Sequence, residues 1–424
     1  MLDIKIIREN PDRVKKAILD KGEKGDVDGF LALDRRRRDI IADVEKLKAD
    51  RNFASAVVAH AKKVGGDATK IIADMKAVGE KIASMDNQLK ELETQINDAL
   101  LWFPNIPHES VPVGKTDADN PVIRSRGDIR KFDFQPRPHW EIGELIRGLD
   151  IGRGAKISGS GFYFLTGPGA RLERALINFM LDLHTQKHGY IEAMIPYAVS
   201  EESMRGTGQI PKLKDDMYKL EQENLYLIPT AEVSLTNLFA GEILPPGSLP
   251  RKICAFSPCF RKEAGSYGKE TRGIVRVHQF HKVEMVKIVE PEMSYNELDS
   301  LLADAEEVLQ LLEIPYRVRL LCTGDLSFAA AKCFDIEAFA PGMNTWLEVS
   351  SCSNFEDFQA RRMNTRYRPE KGSKTGFPHT LNGSGLALPR TVVSVLENYQ
   401  TKDGYVMVPN ALKPYLGGQE VLKG

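Results

Sequence analysis

The sequence predicts an α+β protein in two parts. An N-terminal antiparallel helical coiled-coil arm comes first, then a domain with an antiparallel sheet flanked by helices. Three observations predict this. Ile71, Met75, Val78, Ile82, Met85, Leu89, Leu92 and Ile96 recur in alternating steps of four and three, the heptad stripe of a helix packed along another helix. The stretch "LWFPNIPHESVPVGKTDADNP", from residue 101, is dense in proline and marks a boundary. Beyond it, short β-like runs alternate with helical ones, and their close spacing favours neighbouring antiparallel strands.

The two domains are therefore expected at 1–105 and 106–424, with the arm at about 31–100. In the first, "RENPDRVKKAILDKG" reads as a short helix with Asn10 as N-cap, Pro11 at its first position and Gly22 ending it. Leu33, Ile40, Val44, Leu47, Ala54, Val58 and Ala61 then hold a stripe in the same register as the 71–96 stripe, interrupted by Arg37 and Arg51. Between the stripes "KKVGGDATK" supplies the turn. About 30 residues per helix, at 1.5 Å each, make an arm roughly 45 Å long. In the second domain strands are expected at "LYLIPT", "KICAFSPCFRKE", "IVRVHQFHKVEMVKIV", "YRVRLL", "FDIEAFA" and "TWLEVSSCS". Helices are expected at "ARLERALINFMLDLHTQKHG" and "SYNELDSLLADAEEVLQLLE".

Composition excludes several classes. At 424 residues, 42% hydrophobic and 28% charged, the chain reads as globular. It has no apolar run near the roughly 20 residues that span a bilayer, so no membrane partner is expected. "MLDIKIIREN" has no secretory signal character. Five cysteines without a C-x-x-C pair favour reduced thiols and a cytoplasmic location. Net charge is −1, so a polyanion would have to find a local basic patch. The arm holds 13 Lys and Arg against 12 Asp and Glu over 31–100, and "RRRR" at 35–38 is flanked by Asp34 and Asp39. Lys62, Lys63 and Lys70 near its tip are candidate phosphate contacts, and a solvated helix surface is the plain alternative. Neither a dinucleotide fingerprint nor a P-loop is present.

The chemistry concentrates in "FRKEAGSYGKETRGIVRVHQFHKVE" at 260–284. If its ends pair as a hairpin, period-two alternation puts Arg261, Glu263, Arg276, Phe280 and Glu284 on one surface. Two guanidinium forks suit a phosphate chain, Phe280 can stack on a base, and the carboxylates suit a base amino group and a small polar substrate. Cross-strand ion pairs on a solvated hairpin fit the same spacing. "LNGSGLALPRTVVSVLENY" places Gly383 and Gly385 before Arg390, which opens a helix. Glycines let backbone approach a ligand, and a helix N-terminus with an arginine attracts phosphate. An ordinary glycine turn into a buried helix reads equally well. His184 and His188 are four apart, but without a third ligand they read as surface or interface histidines, and no structural zinc is expected. Cys254 and Cys259 read as buried strand residues.

Together these stretches resemble the class II aminoacyl-tRNA synthetases. F-R-x-E, a loop and R-x-H-x-F-x-x-x-E is similar to their motif 2. "GSGLALPR" is similar to motif 3, and the helix "ARLERALINFMLDLHTQKHGYIEAMIP" to the dimer-forming motif 1. With the arm, "PTAE" and "LEVSSCSNFEDFQARR", the chain most resembles the bacterial-type seryl-tRNA synthetases over essentially its whole length. That resemblance implies activation of L-serine by ATP and transfer to the 3′-terminal adenosine of tRNA(Ser), with tRNA(Sec) an open second acceptor, in a homodimer. It implies serine contacts at Thr230, Ala231, Glu232, Arg261, Glu284 and Ser384, with Glu232 at the α-amino group. It implies ATP contacts at Arg261, Lys262, Glu263, Arg276, Val277, Phe280, Glu348, Val349, Ser350, Ser351 and Arg390. Mg²⁺ would arrive with ATP at Glu348 and Ser351, and Arg261, Arg390 and Glu348 would serve catalysis. Leu388 and Pro389 stand where many relatives have Val-Gly, and Pro fits a first helical turn. Two rival readings remain at this point: a homologue that loads a carrier protein, against which the arm argues, and a non-catalytic RNA-binding protein, against which the intact motif residues argue.

Overall fold

A computed structural model describes residues 1–264 and 272–424. The chain divides into two compact units, one of Leu2–Leu19 and Glu23–Phe103, the other of Met1, Asp20–Gly22 and Pro104–Gly424.

The first unit is helical. Helices α1 (Ile4–Glu9) and α2 (Pro11–Asp20) precede the two long helices α3 (Val27–Lys63) and α4 (Thr69–Leu100). The heptad stripes are the faces by which α3 and α4 meet: Val44, Ile82, Leu92 and Ile96 are buried, and the remaining stripe positions are half-buried between exposed neighbours. Phe30 packs edge-on against Phe103, ring centres 5.4 Å apart. The turn needs glycine because Gly65 has φ +74°, and Asp67 accepts from the Thr69 N–H at 2.9 Å to start α4. Part of the four-arginine run is committed locally. Arg37 lies 3.7 Å and Arg38 3.3 Å from the fully buried Asp34, which also takes two hydrogen bonds from Arg8. The Arg8 guanidinium holds the Asp34 carboxyl below its ordinary range.

Among the described residues, the second unit is built on an eight-stranded sheet. In chain order the strands are β1 (Val122–Arg126), β2 (Ile191–Glu192), β3 (Arg251–Phe260), β4 (Gln279–Val289), β5 (Tyr316–Leu320), β6 (Lys332–Ala340), β7 (Thr345–Asn354) and β8 (His379–Ala387). Their order across the sheet is β1-β5-β6-β7-β8-β4-β3-β2, antiparallel throughout except β2 on β3. Helices α5 (Gly167–Asp182), α6 (Glu232–Thr236), α7 (Ser294–Leu311), α8 (Phe358–Met363) and α9 (Leu388–Asn398) accompany it. Helix α7 packs on β8 and β7, and α9 on β6, β4 and β7. The core between them includes Val283, Met285, Leu301, Leu381 and Val393, all at most 1% exposed.

Two local expectations are corrected. Residues 379–387 are no turn but a strand near the middle of the sheet, pairing Gly383 with Met285 on one side and with Cys352 on the other. Its glycines answer to packing. A Cβ on Gly383 would meet Cys352 Sγ at 2.9 Å, and one on Gly385 would meet His184 Nε2 at 2.3 Å. The second correction concerns 260–284. The paired strands stop at Phe260 and resume at Gln279, so Arg261, Glu263, Arg276 and His278 lie beyond the strand ends, and Glu263 has φ +51°. The glycine-rich run between these segments, residues 265–271, lies outside the described residues. Pro389 occupies the first turn of α9, where its missing N–H costs nothing.

Candidate functional site

The ends of β3 and β4, the middle of β7 and β8 and the start of α9 surround one cavity of roughly 500 Å³. Its two ends differ in chemistry.

The outer end carries permanent charge. Arg261 lies with its guanidinium 5.2 Å from the Phe280 ring centre, and its Nε donates to Pro229 O at 3.3 Å. Arg276 is bound to Glu263 at 2.6 Å. Arg390, projecting from the first turn of α9, donates to Glu348 O at 2.7 Å and Val275 O at 3.2 Å, with the Glu348 carboxylate 3.7 Å away. Three guanidinium groups and an aromatic ring thus face one space. The hairpin pattern in the sequence does converge, but through the loop ends rather than through strand alternation.

Beside this end lies a group of oxygen donors, with the Cys333 thiol 3.1 Å from Ser351 Oγ. Glu348 reaches from β7, Ser351 follows on the same strand, and Asp335 sits opposite Ser351 on β6. Burial, and then the neighbouring Glu348, push Asp335 well above the ordinary carboxyl range. Carboxyl and hydroxyl oxygens are the hard donors that a divalent cation such as Mg²⁺ takes. No cluster of three or more His, Cys, Asp or Glu side chains able to hold a metal occurs among the described residues, so protein ligands there would have to be completed by a bound phosphate chain.

The inner end is buried. Glu284, 1% exposed, accepts from Asn382 Nδ2 at 3.0 Å and from Ser384 Oγ at 3.5 Å, and is ion-paired with Lys282. Lys282 also donates to Thr230 Oγ1 at 3.0 Å. Glu232, at the start of α6 and 6% exposed, accepts from Gln359 Nε2 at 2.7 Å. Gln359 is held in turn by Thr380, whose hydroxyl donates to its Oε1 at 2.7 Å. Burial, together with the Glu284 charge, raises the Glu232 carboxyl from 4.5 to about 7. Ser350 Oγ donates to Ser384 O at 2.6 Å and fixes the backbone of β8 there.

Of the residues singled out in the sequence, Thr230, Glu232, Arg261, Glu263, Arg276, Val277, Phe280, Glu284, Glu348, Val349, Ser350, Ser351, Ser384 and Arg390 line the cavity. Ala231 is fully buried beside it. Lys262 is exposed, its N–H bound to Asp216 O at 2.9 Å and its Nζ 5.8 Å from the Tyr218 ring centre. Lys282, Asn382 and Gln359 were missed by sequence reasoning. Period-two alternation from Phe280 to Glu284 passes through Lys282 and was the signal available for it. His184 is no surface residue. It is fully buried, with Nε2 3.0 Å from Gly385 O and Nδ1 2.9 Å from His188 Nδ1, and burial lowers it to about 4. His188 reaches Glu307 at 2.9 Å.

This arrangement, a mainly antiparallel sheet with arginines at the ends of its central strands and at the start of the following helix, defines the class. Residues 218–399 match the family described as tRNA synthetase class II core domain (G, H, P, S and T), and residues 1–107 match the seryl-tRNA synthetase N-terminal domain. The serine–tRNA ligase of Natranaerobius thermophilus is 56% identical over 422 residues, covering 100% of both chains. The seryl-tRNA synthetase of Pyrococcus horikoshii, solved with ATP, superposes with a TM-score of 0.94 at 39% identity, covering 100% of this chain and 99% of its own. That of Naegleria fowleri, solved with AMP, gives 0.89 at 31%, with the same coverage. The chain belongs to the seryl-tRNA synthetase family, class II ligases that join serine to tRNA. No described helix is long and apolar enough to cross a membrane.

Proposed function

We propose that the cavity forms seryl-adenylate from L-serine and ATP, with serine at the inner end and ATP at the outer end, before the seryl group passes to the terminal ribose of tRNA(Ser). The observation that carries this division is the contrast of the two ends. A buried pair of carboxylates suits an ammonium and a hydroxyl, and three arginines beside a half-buried aromatic ring suit a triphosphate and a base. Glu232 receives the α-ammonium, and Glu284 with Ser384 receives the side-chain hydroxyl. Phe280 stacks on adenine, and Glu263 accepts from its amino group. The serine carboxylate is already ionised near neutral pH, so attack on the α-phosphorus needs no general base. Pyrophosphate leaves as the new C–O–P bond forms. Arg261 and Arg390 hold the negative charge that builds on the phosphoryl oxygens. Mg²⁺, held by Glu348 and Ser351 together with the phosphates, would neutralise the same oxygens.

The pocket rejects alanine because Glu284, Asn382 and Ser384 would be left without the hydroxyl partner. The chain works as a homodimer, a reading supported by α5, which matches the motif 1 pattern, and by the exposed Ile191 and Met194 that follow it. Reduced thiols suit the cytoplasm; all five are unpaired and buried. The arm engages the long acceptor. Replacing its outer turns by a short loop therefore spares adenylation and lowers charging of tRNA(Ser) at least tenfold, measured with labelled serine and Mg²⁺, and tRNA(Sec) is tested in parallel. Loss of adenylation in that variant, or undiminished charging, contradicts the division of labour.

A further inference from the structure

The inner pocket holds a charge arrangement that serine contacts alone do not explain. Two carboxylates, Glu232 and Glu284, are buried in one cavity with one lysine. Lys282 is itself only 7% exposed, and it is committed to Glu284 and to Thr230 Oγ1. Among the described residues, Glu232 receives no ion pair of its own. Its bond from Gln359 is neutral. The charged groups that face it are Glu284 and Lys282 from β4 and Arg261 from the end of β3, and Arg261 lies over Phe280 with a carbonyl at its Nε.

We propose that Lys282 is a positioning residue that sets the charge of the serine pocket: by neutralising Glu284 it leaves Glu232 as the one carboxylate open to an incoming ammonium, and serine enters with release of the proton that Glu232 carries in the empty pocket. The balance is simple. A neutral carboxylic acid and an ammonium enter the step, a carboxylate–ammonium pair and one proton to solvent leave it, and no other bond changes. An isolated anion in such a place is costly, so the empty pocket keeps the acid form until a cation arrives. The rise of Glu232 to about 7 agrees with this and sets the pH range in which the release is visible. The proposal rests on the reading of the inner end as the serine site.

The test is serine-dependent exchange of labelled pyrophosphate into ATP between about pH 6 and about pH 8, with proton release on serine binding counted by calorimetry in buffers of different ionisation enthalpy. For the unaltered enzyme, the KM for serine rises about tenfold per pH unit below the inflection, and close to one proton is released at the acid end. In Lys282→Met the inflection moves to higher pH, the KM for serine at neutral pH rises more than tenfold, and kcat changes less than KM. Lys282→Arg restores the original inflection in large part. Lys282→Gln, which keeps a donor for Thr230, behaves as Met does and serves if Met does not fold. A KM independent of pH in the unaltered enzyme, or an inflection that stays put in the uncharged variants, overturns the proposal while leaving the serine site intact. Absence of any serine-dependent exchange overturns the serine site itself.

Discussion

The two ends of the cavity solve opposite problems with the same kind of residue. At the outer end, the glutamates are ion-paired to arginines in contact with solvent: Glu263 with Arg276, and Glu348 with Arg390. At the inner end, Glu232 and Glu284 are buried in one cavity, and its one lysine, Lys282, is paired with Glu284. A guanidinium keeps its charge at any working pH, so the outer end is electrostatically fixed. The inner end is not, because burial and a like charge hold a proton on Glu232 well above the ordinary carboxyl range. A highly charged ligand that comes with its own counter-ion suits the first design. A small zwitterion with one ammonium suits the second.

The comparison can be broken most sharply at Glu284. Glu284→Ala should take serine activation below detection while ATP binding, followed by equilibrium dialysis, stays within about threefold, because the lost contact belongs to one end only. Unchanged serine activation would remove Glu284 from the pocket. Arg390→Ala should lower the adenylation rate by about 10²–10³-fold with little change in the denaturation midpoint, as expected for a donor aimed at charge that develops during reaction. Normal turnover would refute the role.

Glu232→Gln sharpens the contrast through stability. The folded value of about 7 lies above the reference of 4.5. The folded protein therefore keeps a proton that the unfolded chain has already lost between those values. The contribution of Glu232 to stability is fullest below about 4.5 and is lost as pH rises through about 7. Removing the acid should stabilise the ligand-free protein above about pH 7 by up to about 3 kcal/mol and have no such effect at the acid end, even as serine activation is lost. Urea unfolding at two pH values reads this directly, and an equal shift at both would show that the change is only one of packing. The smallest expected effect is at the outer end, where the KM for ATP should vary less than about threefold across the range in which the KM for serine changes steeply.

How much of this was legible in the sequence depended on whether a residue obeyed a period. The arm was legible because its stripe residues, buried at Val44, Ile82, Leu92 and Ile96 and half-buried elsewhere, form the face by which α3 and α4 meet. Strand β8 was not, because Gly383 and Gly385 lack strand character of their own. They are small because Cys352, Leu301 and His184 occupy the space that side chains would need. The outer site was legible as a set of residues but not as a geometry, since Arg261 and Arg276 sit past the strand ends and converge through loop backbone. Lys282 fell on the readable face yet was overlooked, because a lysine on a strand ordinarily points to solvent. Gln359 stood in a quoted stretch but with no role: its part in the pocket depends on α8 meeting β8, a contact between residues 21 apart in the chain that no local pattern encodes.

The most direct test of the central claim is amino-acid-dependent exchange of labelled pyrophosphate into ATP, run with all twenty amino acids and no tRNA. Exchange with serine alone is the predicted result, since it requires the inner pocket and the outer arginines to act on one substrate pair. Exchange with a different amino acid would keep the fold and overturn the pocket. No exchange from folded protein that still binds ATP would contradict the account.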